Sequence, residues 1–209
     1  MITHDRFADA WIFWLREIMQ AGNDVTDDGE RLREILNVSI SAHTCRREDF
    51  IASGADEDRL NLMLAKYRSS APVRPYTRSY GDLFTDHMAV NQVDWLVKRL
   101  RAKPETKSAT IGFHIPGEDW LSCISLIDCK IRNNAMHLNI AYRSQNVLAS
   151  QPGNACALRD LQEEIAAAVG VRVGALTVHI FSAHIYERDW DSARDILSRN
   201  GVTAGEVTR

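Results

Sequence analysis

The residues best suited to chemistry lie in the second half of the chain. Arg143-Ser144 pairs a guanidinium with a hydroxyl, and such a pair can bind a phosphate because the guanidinium donates two parallel hydrogen bonds. Asn154 carries a side-chain amide that both donates and accepts, so it can read the edge of a pyrimidine base. His184 and Tyr186 alternate along a strand-like segment and can bind a sugar hydroxyl. Together these residues predict a pocket for a pyrimidine nucleotide.

Cys123 lies upstream of these residues and is the candidate nucleophile. A thiolate that adds to carbon-6 of a pyrimidine makes carbon-5 reactive, so a covalent adduct replaces one difficult step with two easier ones. A nearby cation stabilises a thiolate, and Arg143 is suited to that role. The alternative is a buried structural cysteine, because free cysteine usually behaves as a small core residue. Cys129 fits that alternative better than Cys123 does.

The order of these segments resembles the thymidylate synthase family, whose members add a one-carbon unit to carbon-5 of a pyrimidine nucleotide. The resemblance covers roughly residues 31–190 and is closest to the short branch found in archaea and some phages. The segments that carry it are Tyr80-Gly81, Asn91-Gln92, Cys123-Ile124-Ser125-Leu126-Ile127, Arg143-Ser144, Asn154 and Ser182-Ala183-His184-Ile185-Tyr186-Glu187-Arg188-Asp189.

The resemblance implies a role for each candidate residue. Cys123 is the nucleophile and Glu57 the candidate proton-relay carboxylate, although Glu57 also fits an acidic helix start. The implied phosphate ligands are Arg31, Lys107, Arg143 and Ser144; the implied base ligands are Asn146 and Asn154; the implied sugar ligands are His184 and Tyr186. The family also implies 5,10-methylenetetrahydrofolate as cofactor and a homodimer. We expect no metal.

Several positions depart from the family pattern. Asn146 and Ser182 replace aspartates, Ile124 replaces a histidine, and Lys107-Ser108 stands where the family donates an arginine pair across its dimer. Asn154 favours a uracil nucleotide, such as dUMP or UMP, since cytosine-specific relatives often carry aspartate there.

The product depends on whether water reaches the pocket. The chain ends without the apolar tail of the long synthases, at residues 204–209, and has Phe113 where that branch has a Trp-Asn pair. Both features favour hydroxymethylation. Methylation of dUMP, or a nucleotide-binding homologue without catalysis, remains an alternative.

Composition bounds the class of protein. The chain has 209 residues, 45% of them hydrophobic and 25% charged, which is typical of a globular protein. Its net charge of -3 argues against nucleic acid as the main partner. The absence of an apolar segment long enough for a membrane span or a signal peptide predicts a cytoplasmic protein.

Apolar spacing predicts the elements that position these residues. Helices are predicted around Phe7–Ile18, Leu60–Tyr67, Val93–Leu100 and 158–169, with a short one over 191–198; Asn154 also fits a helix N-cap. Strands are predicted over 36–42, 109–113, 123–131, 136–142 and 175–186, with a hairpin at Asn133-Asn134 and a long loop over 69–90 that could line the site. We therefore expect one α+β domain over 1–209, with a mixed or antiparallel sheet flanked by helices.

Overall fold

The computed structural model describes residues 2–76, 78–119 and 121–202, and a mixed β-sheet lies at its centre. The strands are β1 (Ile2–Arg6), β2 (Asn23–Asp27), β3 (Glu30–Thr44), β4 (Thr110–Gly112), β5 (Ile124–Arg132), β6 (Ala135–Tyr142), β7 (Gln145–Asn146) and β8 (Arg172–Tyr186). They are ordered β1-β3-β8-β6-β5-β4, with β2 on β3 and β7 on β8. The β1–β3, β6–β8 and β7–β8 pairs are parallel and the others antiparallel.

The helices are α1 (Phe7–Ala21), α2 (Arg47–Ala52), α3 (Glu57–Arg68), α4 (Tyr80–Thr85), α5 (Gln92–Ala102), α6 (Gln151–Val169) and α7 (Trp190–Arg199), the last preceded by a short 3-10 turn, Glu187–Asp189. The predicted α+β class is confirmed. Within the residues described, no helix is long and apolar enough to cross a membrane.

Helix α1 begins the core as its apolar spacing predicts. Phe7, Trp11, Leu15 and Ile18 recur on one face, and all four are buried. The Trp11 indole donates to the Val147 carbonyl oxygen at 2.8 Å, so its one polar atom is satisfied inside the core. This bond attaches α1 to the segment that leads from β7 into α6.

The contact between α3 and α6 depends on Gly153. A Cβ built at this position would lie 2.5 Å from Met63 Cβ and 2.8 Å from the Leu60 carbonyl oxygen. Only glycine allows the two helices to approach this closely. The approach brings one face of α3 over the first turns of α6, where Asn154 lies.

Strand pairing brings distant segments of the chain to one end of the sheet. Glu34 on β3 and Asn146 on β7 are both in register with His184 on β8. The Arg143 N–H donates to the Cys123 carbonyl oxygen at 2.9 Å, just beyond the paired ends of β5 and β6. Sequence separation is therefore no guide to distance here, because register sets which side chains meet.

Several predicted elements differ from those observed. The predicted loop over 69–90 contains α4, which is only six residues long and is capped by Ser79 through the Asp82 N–H. The helix predicted from residue 158 begins at Gln151 and its N-cap is Ser150. Asn154 is therefore inside the helix, and its predicted N-cap role is wrong. Strand β5 begins one residue after Cys123, and β1, β2 and α2 were not predicted.

Candidate active site

A cavity of about 850 Å³ lies where these strand ends, α3 and the segment before α4 meet. It is lined by six of the predicted site residues: Cys123, Arg143, Ser144, Asn146, His184 and Tyr186. Pro75 and Tyr76 line it too, which confirms that the segment over 69–90 lines the site. Four residues predicted from sequence, Glu57, Arg31, Lys107 and Asn154, are not part of the lining.

Cys123 is half-buried on the cavity wall, whereas Cys129 is fully buried in the core. The Ser144 hydroxyl lies 3.9 Å from the Cys123 sulfur, within reach of a weak hydrogen bond. Burial raises the pKa of Cys129 to about 12, and Asp128 adds to the effect. Cys129 is therefore a protonated core residue at neutral pH, and Cys123 is the cysteine that a ligand in the cavity can contact.

The Arg143 side chain is fixed by backbone carbonyls. Its Nε donates to Ser122 at 3.1 Å and its Nη2 to Leu121 at 3.0 Å, while Nη1 lies 3.4 Å from the Ser144 hydroxyl. No carboxylate among the described residues forms an ion pair with it. Its charge and the adjacent hydroxyl are thus available to an anion in the cavity.

The other predicted cations lie elsewhere. Arg31 is engaged outside the cavity by Asp24 at 2.8 Å and Glu187 at 2.7 Å, so two carboxylates already neutralise it. Lys107 is exposed and is not a cavity residue.

Two arginines that were not predicted line the cavity instead. Both Nη atoms of Arg59 lie 3.2 Å from an oxygen of the buried Asp189 carboxylate, and Arg188 pairs with Glu30. Each of these two arginines forms an ion pair with a carboxylate, whereas Arg143 forms none within the described residues.

The two predicted base ligands differ in environment. Asn146 lines the cavity, and its Oδ1 accepts from the Ala149 N–H at 2.9 Å. Asn154 is only 3% exposed and lies one turn along α6 from Ser150, a cavity residue. Its Oδ1 is buried with no hydrogen-bond donor in the part of the chain described. An orphaned buried acceptor costs about 1–3 kcal/mol, and this one lies behind the cavity lining rather than in it.

The predicted sugar ligands lie side by side on β8. The rings of His184 and Tyr186 are 5.0 Å apart in an edge-to-face contact, and His184 is only 7% exposed. Burial lowers the pKa of His184, an effect that the Ser182 carbonyl and the Glu34 carboxylate oppose. Its imidazole is therefore neutral at pH 7.

Helix α3 presents cations to the cavity region rather than a carboxylate. Glu57 is 57% exposed in its side chain and pairs with Arg47 at 2.7 Å, away from the cavity. Arg59 and Met63 line the cavity, and Lys66 follows at helical spacing as a buried residue behind the lining. The sequence signal that was missed is this spacing, because Lys66 lies three residues after Met63, where a further apolar residue would be expected.

Lys66 is the least expected residue of α3 because it is only 8% exposed. Its ammonium lies 3.9 Å from the ring centroid of Tyr76 and 4.1 Å from that of Tyr80, and ring faces stabilise a cation. Burial lowers the pKa of Lys66, and the charge of Cys123 opposes that shift. Burial likewise raises the pKa of Tyr80, with Cys123 the next cause. Cys123 is therefore near enough to act on both the Lys66 ammonium and the Tyr80 hydroxyl.

Comparison with known proteins identifies the family. A sequence profile described as thymidylate synthase matches residues 56–208. The chain belongs to the thymidylate synthase family. A "Putative thymidylate synthase" of Methanothermobacter thermautotrophicus is 31% identical over 94% of this chain and 97% of its own. One with the same description from Methanosarcina mazei is 28% identical over 94% of each chain.

Membership in the thymidylate synthase family supports one-carbon transfer to a pyrimidine nucleotide with a folate cofactor. The resemblance found in the sequence is thereby confirmed.

Two sequence features bear on water access to the pocket, and neither lies in the cavity lining formed by the described residues. Phe113 is buried against Phe84, with ring centroids 5.1 Å apart, and is not in the cavity lining. Residues 204–209, the other feature, lie outside the described residues.

Proposed function

We propose that this protein hydroxymethylates carbon-5 of a uracil nucleoside 5'-monophosphate through a covalent adduct with Cys123. The observation that carries the proposal is the position of the Cys123 thiol on the wall of a cavity that also holds Arg143 and Ser144. A nucleophile and an anion site share one cavity, as a nucleotide adduct requires. The family of the chain supports the same reaction class.

Cys123 adds to carbon-6 of the base, and carbon-5 gains the electron density that it needs to form a carbon–carbon bond. The Lys66 ammonium stabilises the thiolate before this addition. Tyr80, whose pKa is raised by burial and by Cys123, holds a proton at its hydroxyl. We assign the proton-holding role to these two residues because Glu57 is exposed and paired with Arg47.

Arg143 and Ser144 bind the phosphate. Arg143 keeps an unneutralised charge on a side chain already fixed by the Leu121 and Ser122 carbonyls, so little side-chain entropy is lost on binding. Carboxylates elsewhere on the lining, Asp27 and Asp28, repel a phosphate from the β2–β3 turn. The charges thus favour the Arg143 end of the cavity.

Asn154 is the proposed base ligand, from a position one turn behind the lining residue Ser150. Its orphaned Oδ1 is an acceptor, and the ring N–H of uracil is a donor that would satisfy it. Cytosine presents a bare acceptor nitrogen at the same ring position. This asymmetry supports uracil over cytosine. Asn146 remains a candidate base ligand through its amide N–H group, since its oxygen is already engaged.

The cavity fits a folate as well as a nucleotide. Its volume, about 850 Å³, is near the upper end of ligand pockets, which span roughly 300–1,000 Å³. Leu62, Met63, Pro75 and Tyr76 give it an apolar side suited to the flat ring of the folate. When bound, 5,10-methylenetetrahydrofolate supplies the one-carbon unit.

The polar lining supports hydroxymethylation over methylation. Charged side chains from the β2–β3 turn, α3 and the segment after β8 line the cavity; among them are Asp27, Asp28, Arg59, Arg188 and Asp189. Such a lining retains water. Water adds to the exocyclic methylene left on carbon-5, and the Cys123 thiolate then departs from carbon-6.

We also propose that the protein is a homodimer. Leu126 and Phe181 are 37% and 47% exposed. Phe181 lies on the same face of β8 as His179, and Leu126 joins that face through Ala141 and His179. The opposite face carries the buried Leu176, Val178 and Ile180. Light scattering with size-exclusion chromatography tests this: the mass of two chains is expected, and the mass of one chain contradicts it.

The product decides the proposed reaction. Purified protein is incubated with UMP, dUMP, CMP or dCMP plus 5,10-methylenetetrahydrofolate, and the nucleotide is weighed by mass spectrometry. The gain of a hydroxymethyl group on a uracil nucleotide is expected. The gain of a methyl group would make the protein a methylase, a cytosine preference would overturn the role of Asn154, and no gain with any substrate would contradict catalysis.

A further inference from the structure

Three side chains at one end of the cavity form a cluster that the reaction does not use. Glu34 on β3 is in register with His184 on β8, and Ser182 lies two residues before His184 on the same strand. All three line the cavity. Glu34 is one of the residues that sequence reasoning did not single out. A carboxylate at this end calls for a ligand group that donates hydrogen bonds.

The hydrogen bonds within this cluster leave two acceptors without a protein donor in the described chain. The Ser182 hydroxyl donates to Glu34 Oε2 at 2.6 Å, and no protein donor in the described chain engages the other carboxylate oxygen. His184 Nδ1 lies 3.4 Å from the Ser182 carbonyl oxygen. A carbonyl only accepts, so the proton of the neutral imidazole is on Nδ1 and Nε2 is an acceptor. Two acceptors, Glu34 Oε1 and His184 Nε2, are therefore available at this end.

The chemistry of the nucleotide limits what can satisfy two acceptors. A phosphate has no donor at neutral pH and is repelled by Glu34. The ring N–H of uracil is a single donor, and Asn154 accepts it in the proposed function. The cis 2',3'-diol of a ribose supplies two adjacent O–H donors, whereas a 2'-deoxyribose supplies only one. Carboxylates bind ribose hydroxyls in the same way at dinucleotide sites.

We propose that Glu34, together with His184, selects a ribonucleotide over a 2'-deoxyribonucleotide by accepting hydrogen bonds from the 2',3'-diol. This inference rests on the proposed nucleotide site and narrows its substrate to UMP rather than dUMP. A 2'-deoxy substrate leaves the Glu34 carboxylate without its ligand partner, and an unmet charged hydrogen bond is costly. We expect UMP to bind roughly 10- to 100-fold more tightly than dUMP, the range for such a bond.

The test measures the affinity of the wild-type protein for UMP, dUMP and 2'-O-methyl-UMP by calorimetry without folate, so that turnover does not enter. The tight binding of UMP alone is expected, because the methyl ether cannot donate. Glu34→Gln and Glu34→Ala should weaken UMP binding until the UMP-to-dUMP ratio approaches one. The Gln variant keeps the size of the side chain and a partner for Ser182, and a thermal melt verifies its fold. Asp28→Asn is the matched control, since it removes another cavity carboxylate and should leave the ratio unchanged.

Each other outcome overturns the inference. Equal or tighter binding of dUMP by wild type shows that no ribose selection exists, even if dUMP is hydroxymethylated and the proposed function stands. A ratio that survives both Glu34 variants assigns selection to other groups. A failure of every nucleotide to bind removes the proposed function together with the inference.

Discussion

Arg143 and Arg31 allow the phosphate site to be tested at the scale of single residues. Arg143 lies on the cavity without a carboxylate partner among the described residues, whereas Arg31 is paired outside it with Asp24 and Glu187. Arg143→Ala should weaken UMP binding by about 1.5–3 kcal/mol, the value of a charged hydrogen bond, and leave uridine binding nearly unchanged. Calorimetry with both ligands measures this.

The matched control for this prediction is Arg31→Ala, which should leave both affinities unchanged. An equal loss for nucleoside and nucleotide in Arg143→Ala would mean that the residue supports the fold rather than the phosphate. A loss of UMP affinity in Arg31→Ala would restore the role that the sequence predicted for it.

Lys66 carries a second prediction at this scale. Removing its charge with Lys66→Met should slow alkylation of Cys123 by iodoacetamide at neutral pH at least about fivefold, because a nearby charge is worth about 1 kcal/mol or more to a thiolate. Peptide mass spectrometry follows Cys123 separately from the three buried cysteines. Lys66→Arg should retain most of the rate, since the charge persists. An unchanged rate in Lys66→Met would show that the ammonium does not act on the thiol.

A site residue could be predicted from the sequence only where the residues that indicate its role lie in a short segment of the chain. Cys123, Arg143 and Ser144 occur in short runs whose residue types carry the chemistry directly. Glu34 and Lys66 do not, because their roles come from a strand register and a helix face that join segments far apart in the chain. Glu57 was singled out through the family resemblance, and the helix turns it toward solvent, where it pairs with Arg47.

At the scale of elements, Gly153 sets the spacing between α3 and α6. Gly153→Ala should destabilise the fold by about 1–3 kcal/mol through overpacking, because its Cβ would lie 2.5 Å from Met63 Cβ. Urea unfolding measures the change in the free energy of unfolding. Gly112→Ala is the control, since the nearest heavy atom to its Cβ is 4.0 Å away. Equal stability of the two variants would contradict the packing assigned to Gly153.

Element prediction succeeded where the apolar pattern is long and regular. The α1 stripe and the strands of the second half have many repeats, so their period is unambiguous. Helix α4 has six residues and α2 also six, too few for a helical period to be recognised. The start of α6 was missed because Gln151, Pro152 and Gly153 break the apolar stripe while remaining helical.

At the scale of the whole molecule, two histidines link stability to pH. Burial lowers the pKa of both His137 and His184 below 6.5, and His137 Nδ1 accepts from the Ala175 N–H at 3.2 Å, which requires the neutral ring. Between the lowered pKa and 6.5 the unfolded chain binds more protons than the folded one. The free energy of unfolding should therefore fall as the pH decreases through this window.

Urea unfolding at about pH 7.5 and about pH 5.5 measures that fall. In the double variant with His137→Gln and His184→Gln, the difference in the free energy of unfolding between the two pH values should be smaller. Stability that rises on acidification, or a slope unchanged in the double variant, would show that these histidines do not set the pH dependence. The same protonation should weaken UMP binding through His184 but not through His137, which is not in the cavity lining.

The central claim is that Cys123 forms the adduct that activates carbon-5. Release of tritium from [5-³H]UMP in the presence of 5,10-methylenetetrahydrofolate reports that adduct directly, because carbon-5 exchanges its hydrogen only after the thiolate has added to carbon-6. Wild type and Cys129→Ala should release tritium at similar rates, and Cys123→Ala should release none while still binding UMP. Release by Cys123→Ala at the wild-type rate, or its loss in Cys129→Ala alone, would contradict the account.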